Sequence, residues 1–167
     1  MEQAAAVLWQ NGCRTYFVAT IAEAIDLRTL LPEAVIYVLN GLLPGTAAMF
    51  RDYGLRPVLN SAGEVREWAN YCSNVSGALP CAIHVDTGMN RLGLSAGDID
   101  EVRAMANLWQ TVALSLLMSH LACADDHTIT KNKQQRACFE TIRAAFPEAM
   151  TSLANSAGIL LGRQYHY

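Results

Sequence analysis

The stretch CAIHVDTGMNRLGL, residues 81–94, changes character halfway along. A largely apolar run, CAIHVD, gives way at Asp86 to a polar, glycine-bearing tail that carries Arg91. A run that does not alternate apolar with polar suits a strand covered by helices, not one with a wet face. The tail then reads as the loop leaving that strand, with Thr87-Gly88 making the turn and Gly88 free to take a positive φ or let backbone approach a ligand.

The same unit recurs on both sides. Short β-rich runs lie at TYFVAT (15–20), VIYVLN (35–40), RPVLN (56–60), LSLLMSHLA (114–122) and MTSLANS (150–156). Between them come segments with apolar residues at i, i+3 and i+4, as on amphipathic helices: IAEAIDLRTLL (21–31), GTAAMFRDYG (45–54), AGEVREWANYCSNV (62–75), DIDEVRAMANLWQTV (98–112) and KNKQQRACFETIRAAF (131–146). AAAVLWQNG (4–12) reads as one more helix, closed by Gly12. Alternating β and α units imply a parallel sheet with crossover helices. Polar residues gather at the ends of the runs (Asn40, Asn60, Asp86, His120, Asn155 and Ser156), the edge where barrels and doubly wound sheets both keep their ligands. Neither GxGxxG nor GxxxxGK[ST] follows the early runs, which argues against a dinucleotide or P-loop site. Six βα strands fall short of the eight in a closed barrel, which takes about 250 residues. The sheet is therefore expected to be open, or the sequence a piece.

Composition narrows the class. With 52% hydrophobic and 16% charged residues in 167, the chain is globular and large enough for one domain with a sizeable core. A net charge of −3 leaves no basic face for nucleic acid, and no apolar run reaches the length of a membrane span. Five cysteines without CxxC spacing fit free thiols in a reducing, cytoplasmic setting. The sequon at residues 74–76 carries no weight there.

Three segments could carry chemistry. Arg91 lies just past a strand end, where a guanidinium can clamp a carboxylate or phenolic oxygen, or merely pair with Asp86 on the surface. His120 in MSHLACADDH can stack on a ring, relay a proton or bind a metal, although the neighbouring Cys123, Asp125, Asp126 and His127 match no closed zinc pattern. Asp125-Asp126 reads more simply as a solvated helix start. In LANSAGIL (153–160), Asn155 and Ser156 precede small residues whose N–H groups would seat an anion, or they simply cap a helix.

Taken together, these segments resemble alanine racemases, in their N-terminal pyridoxal-phosphate-binding barrel. DTGMNRLGL (86–94) is close to that family's most specific internal motif, MSHLACADD (118–126) resembles its THFATAD-like segment, and LANSAGIL its ANSA segment, in the same order. Upstream, residues 13–45 resemble its second and third strand units. The resemblance implies an α/β fold: a partial (β/α)8 TIM barrel of about six βα units spanning residues 1–167. The first and last strands and a mostly β C-terminal domain would be missing. It also implies pyridoxal 5'-phosphate as cofactor, alanine as substrate, D-alanine for cell-wall synthesis as product, and a homodimer for the intact enzyme. Arg91 would hydrogen-bond the cofactor's phenolic oxygen and meet the substrate carboxylate. His120 would lie at the ring, Asn155 and Ser156 would line the site with Ser156 at the phosphate, and Leu39 would pack nearby. No metal is expected.

The departures from the family are specific. Many members carry a lysine, often carbamylated, two residues before the motif's aspartate, where it supports the arginine. This sequence has His84 there. The family's Schiff-base lysine would lie upstream of residue 1, so that Met1 reads as an internal methionine, and its base tyrosine would lie beyond Tyr167. The only lysines, Lys131 and Lys133, sit in a polar stretch, and Tyr165 and Tyr167 do not match the family position. No catalytic residue is therefore assigned, and the chain alone is expected to be inactive. The alternative is a non-catalytic module that holds the cofactor weakly or pairs with a complementary chain.

Overall fold

A computed structural model describes residues 2–75, 77–146 and 148–167; Met1 and the sequon's Ser76 lie outside the described residues. Six strands alternate with helices: α1 (Glu2–Gln10), β1 (Thr15–Val18), α2 (Ile21–Leu30), β2 (Val35–Val38), α3 (Ala47–Asp52), β3 (Arg56–Leu59), α4 (Ala62–Ser73), β4 (Leu79–His84), α5 (Ala96–Ala104), α6 (Leu108–Thr111), β5 (Val112–Met118), α7 (Thr130–Arg143) and β6 (Met150–Ser152). All pairings are parallel and the spatial order is β1-β2-β3-β4-β5-β6. Strictly consecutive order is that of a (β/α)8 barrel, since a doubly wound sheet reverses direction at a switch point. The sheet is an open arc: among the described residues β1 and β6 each have a single neighbour.

Strand alternation divides the core into two layers. Ile36, Val38, Leu59, Cys81, Ile83 and Leu117 face outward into the main core with the helices, where Trp68 of α4 meets Phe50 of α3 edge-on at 6.0 Å. Tyr37, Val58, Ala82, Leu116 and Met118 face inward as a separate cluster. Helix starts are set by side-chain caps: Thr20 and Glu23 form a capping box on α2, Ser95 and Asp98 another on α5, and Ser61 caps α4 through the Glu64 amide.

Three sequence expectations need correction. The single helix expected over residues 98–112 is two, because Met105 turns extended and Asn107 takes a left-handed φ of 60° between α5 and α6. The strands stop two to four residues short of the polar ends read from sequence: β4 at His84, β5 at Met118 and β6 at Ser152. Asn155 and Ser156 thus lie in a loop, and the chain beyond them forms a short 3-10 turn (Gly158–Leu161), not an α-helix.

Candidate functional site at the C-terminal edge of the sheet

Because every strand runs the same way, their C-terminal ends share one edge, and the loops after β2 to β6 meet there. The loop after β4 folds back on its own strand: Leu94 N–H donates to His84 O at 2.8 Å and Asp86 N–H to Leu94 O at 3.0 Å. The Asp86 carboxylate accepts the backbone N–H groups of Gly88, Met89 and Asn90 at 2.8–3.1 Å. It therefore organises the loop instead of pairing with Arg91. Arg91 is exposed and has no carboxylate partner among the described residues.

Gly93 makes this closure possible. Its φ is +106°, and a Cβ there would lie 2.8 Å from the Asp86 nitrogen, 3.0 Å from the Val85 carbonyl carbon and 3.2 Å from His84 Cδ2. Backbone cannot yield as a flexible side chain can, so Gly93→Ala is expected to destabilise the domain by about 2–3 kcal/mol and open the loop. Urea midpoints of the two proteins check this.

Beneath the loop, His84 is buried and its Nδ1 lies 2.9 Å from Asn60 Oδ1. Asn60 donates through Nδ2 to Leu39 O and Val58 O. Its own N–H donates to Glu64 Oε2, which also accepts the Leu42 N–H. Burial pushes His84 down to about 4, with the nearby His120 and Arg91 pressing the same way against Asp86. Burial, then Arg91, also lowers His120. Both imidazoles are thereby held toward the neutral form.

The His120 end of β5 is tied to the Arg91 loop by one buried side chain. Gln135 of α7, 0% exposed, accepts the Ala122 N–H at 2.9 Å and donates to His120 O at 3.0 Å and Thr87 Oγ1 at 3.2 Å. Thr87 Oγ1 in turn lies 2.8 Å from Ser119 Oγ. The Asp125-Asp126 pair does not start α7; Asp126 instead binds Thr128 in the turn before it.

Phe17, Leu39, Met118, Ser119, His120, Ser152, Ala154 and Asn155 line a cavity of about 180 Å³ at this edge. The structure thus brings Leu39, His120 and Asn155 together, with His84 buried below and Arg91 on the adjoining loop. Asn155 is used locally: Oδ1 accepts the Gly158 N–H at 2.8 Å and Nδ2 reaches Leu121 O at 3.3 Å. The cap alternative is thereby realised, although on a 3-10 turn. Ser156 is exposed and does not line the cavity. Deeper inside, Arg56 donates to the Tyr37 hydroxyl, which meets Ser115 Oγ, both at 3.0 Å, and Phe17 stacks on Tyr37 at 5.0 Å. Sequence reading placed Asn60 at the ligand edge without a specific role and did not single out Gln135 or this Tyr37 group. The shared parity of Val35 and Tyr37 on β2 with Leu39 just past it is the sequence signal that could have marked the last.

The model of the family "Alanine racemase, N-terminal domain" matches residues 1–167. The chain belongs to that family. It is 51% identical over 164 residues to the alanine racemase of Methylobacterium sp. (strain 4-46), covering 97% of this chain and 44% of that protein. Identity is 42% over 164 residues to the catabolic alanine racemase of Mesorhizobium japonicum, covering 98% of this chain and 43% of that protein. The crystal structure of alanine racemase from Bartonella henselae, which holds covalently bound pyridoxal phosphate, superposes with a TM-score of 0.95 at 34% identity. That match covers 99% of this chain and 48% of the other. The chain thus spans less than half the length of these alanine racemases, and its six strands form part of their barrel.

The residues present fit a flat heteroaromatic ring with anionic substituents. Phe17, Leu39 and Met118 give the cavity an apolar wall, His120, Ser152 and Asn155 a polar rim, and Arg91 offers donors that no carboxylate has claimed among the described residues. Neither lysine lines the cavity: Lys131 Nζ lies beside Gly88, and Lys133 is exposed.

Proposed function

We propose that this domain holds pyridoxal 5'-phosphate at the C-terminal edge of its sheet and serves the interconversion of L- and D-alanine. The observation that carries the reading is the convergence of Phe17 of β1 and the loops after β2, β5 and β6 around one cavity, to which the Arg91 loop is tied through Thr87 and Ser119, in a chain of the alanine racemase family. Arg91 donates to the cofactor's phenolic oxygen and orients the alanine carboxylate, a task suited to a permanently charged group with donors only. His120 lies against the ring as a neutral imidazole and keeps its charge from competing with Arg91. Leu39 packs beside the ring, Asn155 lines the site, and the Ser156 hydroxyl binds the phosphate. Pyridoxal phosphate, when bound, supplies the electron sink for charge left at the substrate's α-carbon.

Moving the α-proton between faces also needs two bases, which we assign to a lysine and a tyrosine of a longer protein. The remaining barrel strands, a C-terminal β domain and the homodimer belong to that longer protein in this reading. A role in supplying D-alanine to the cell wall belongs with them. The 167-residue chain is then expected to bind the cofactor without racemising alanine. A chiral assay with L-alanine and added pyridoxal phosphate checks this: D-alanine no faster than with cofactor alone is the expected result. Catalytic turnover by the chain itself would refute this division of labour.

A second reading rests on the open edges. Phe17 on β1 is 41% exposed and Met150 on β6 is 65% exposed, so a complementary chain has apolar surface to cover there. Cofactor-independent oligomers in sedimentation, with no cofactor binding, would favour it.

A further inference from the structure

At the opposite edge of the sheet, where the strands begin, a second cavity of about 120 Å³ lies among α3, α4 and the starts of β3 and β4. Its walls include Phe50 and Arg51 of α3, Trp68 of α4, Gly54 in the loop before β3, and Arg56 at the head of that strand. The proposed cofactor site has no part in it.

Trp68 is 0% exposed, yet its indole Nε1 has no hydrogen-bond partner among the described residues. One turn further along α4, the Tyr71 hydroxyl is buried and without a partner as well. A buried donor that lacks an acceptor has given up its hydration for nothing, and native interiors supply one. The aromatic neighbours of Trp68 do not: Tyr71 stacks on it at 5.9 Å and Phe50 meets it edge-on at 6.0 Å, so they cover it with ring carbon. The cavity that Trp68 lines is the space where an acceptor can stand.

The charge of that acceptor follows from the guanidinium groups around it. Arg51 and Arg56 line the cavity, and Arg28 of α2 donates to the Gly54 carbonyl at 2.9 Å. Arg28 binds only carbonyl oxygens, the others being those of Tyr53, Leu31 and Pro32. Burial, then the charge of Arg56, lowers Arg28, which places the two cations close enough to repel. Arg56 gives one donor to the Tyr37 hydroxyl and has no carboxylate partner among the described residues. Arg51 lies over the Tyr71 ring at 6.0 Å and pairs with Asp52. Three positive charges thus share one carboxylate.

We propose that this cavity is a second binding site, for a small oxyanion that accepts from Trp68 Nε1 and is held by the charge of Arg51 and Arg56. The volume suits an ion of phosphate size and is too small for a nucleotide or for the cofactor. The site stands apart from Arg91 and from the proposed function, because it lies at the other end of the strands.

The test is a titration of the nitrogen-15-labelled 167-residue chain with inorganic phosphate, at neutral pH and fixed ionic strength. The Trp68 indole N–H signal, identified by its loss in Trp68→Phe, should shift saturably while those of Trp9 and Trp109 stay in place. Arg51 is 46% exposed, so Arg51→Gln keeps the fold, and it is expected to weaken phosphate binding about tenfold. A Trp68 signal indifferent to phosphate, or equal affinity in R51Q, overturns the inference and leaves the cavity to water. Saturable shifts confined to Ser156 and its neighbours overturn it too, because phosphate would then occupy the cofactor edge alone.

Discussion

Replacing Gln135 with leucine is expected to destabilise the domain by about 2–4 kcal/mol. The side chain is fully buried and serves three partners on two strand-end loops: Ala122 N–H, His120 O and Thr87 Oγ1. Thr87 keeps Ser119 after the substitution, but the Ala122 amide and the His120 carbonyl lose their partner at a part-buried site. Each such group costs about 1–3 kcal/mol, and leucine's branched shape does not follow the extended amide. Gln135→Glu still accepts from Ala122 and Thr87 but presents an oxygen to His120 O, so it should also lose stability. Urea unfolding with an unchanged m-value, together with faster amide exchange at Ala122, measures the effect. Because Gln135 ties the Arg91 loop to the His120 loop, its leucine variant should weaken pyridoxal phosphate binding even where it remains folded.

Acid should destabilise the domain by up to ~3 kcal/mol through His84 alone. The folded protein holds this group at about 4, below the ordinary 6.5, so the unfolded chain takes up the proton more readily. The stabilisation is therefore complete above pH ~6.5, drains as pH falls toward 4, and loses nothing further from this group below that. His120 is lowered too and adds in the same sense. Glu64 works oppositely: burial raises it, so its effect on stability declines as pH rises past 4.5. The difference between wild type and His84→Gln isolates the histidine. Urea midpoints from pH 4 to 7.5 should converge toward acid and diverge toward neutral. Parallel curves would mean that His84 titrates normally in the folded protein.

Periodicity made the strands legible because all six are covered by helices on one side and by barrel interior on the other. Continuous apolar runs such as VIYV and VALSLLM have no other use in a chain of this charge. Their order was legible only through the family resemblance, since α/β alternation alone allows both a barrel and a doubly wound sheet. The break at Met105–Asn107 was hidden because asparagine's left-handed conformation leaves no mark in the apolar spacing. Gln135 was hidden for a related reason. On α7 the buried stripe runs Asn132, Gln135, Phe139, and polar residues on a core-facing stripe read as solvent face. Asn60 looked like one more polar strand end. Its contact with His84 is set by carbonyls of β3 and of the segment just after β2, which only the fold brings together.

The most direct test titrates the 167-residue chain with pyridoxal 5'-phosphate at neutral pH, following the cofactor's absorbance, beside an Arg91→Ala variant. Arg91 is exposed, so its truncation leaves the fold intact while removing the cation that the site offers. Saturable one-site binding that weakens about tenfold in R91A is the predicted result. Equal affinity of the two proteins, or no saturable binding by wild type, would contradict a cofactor site organised around Arg91.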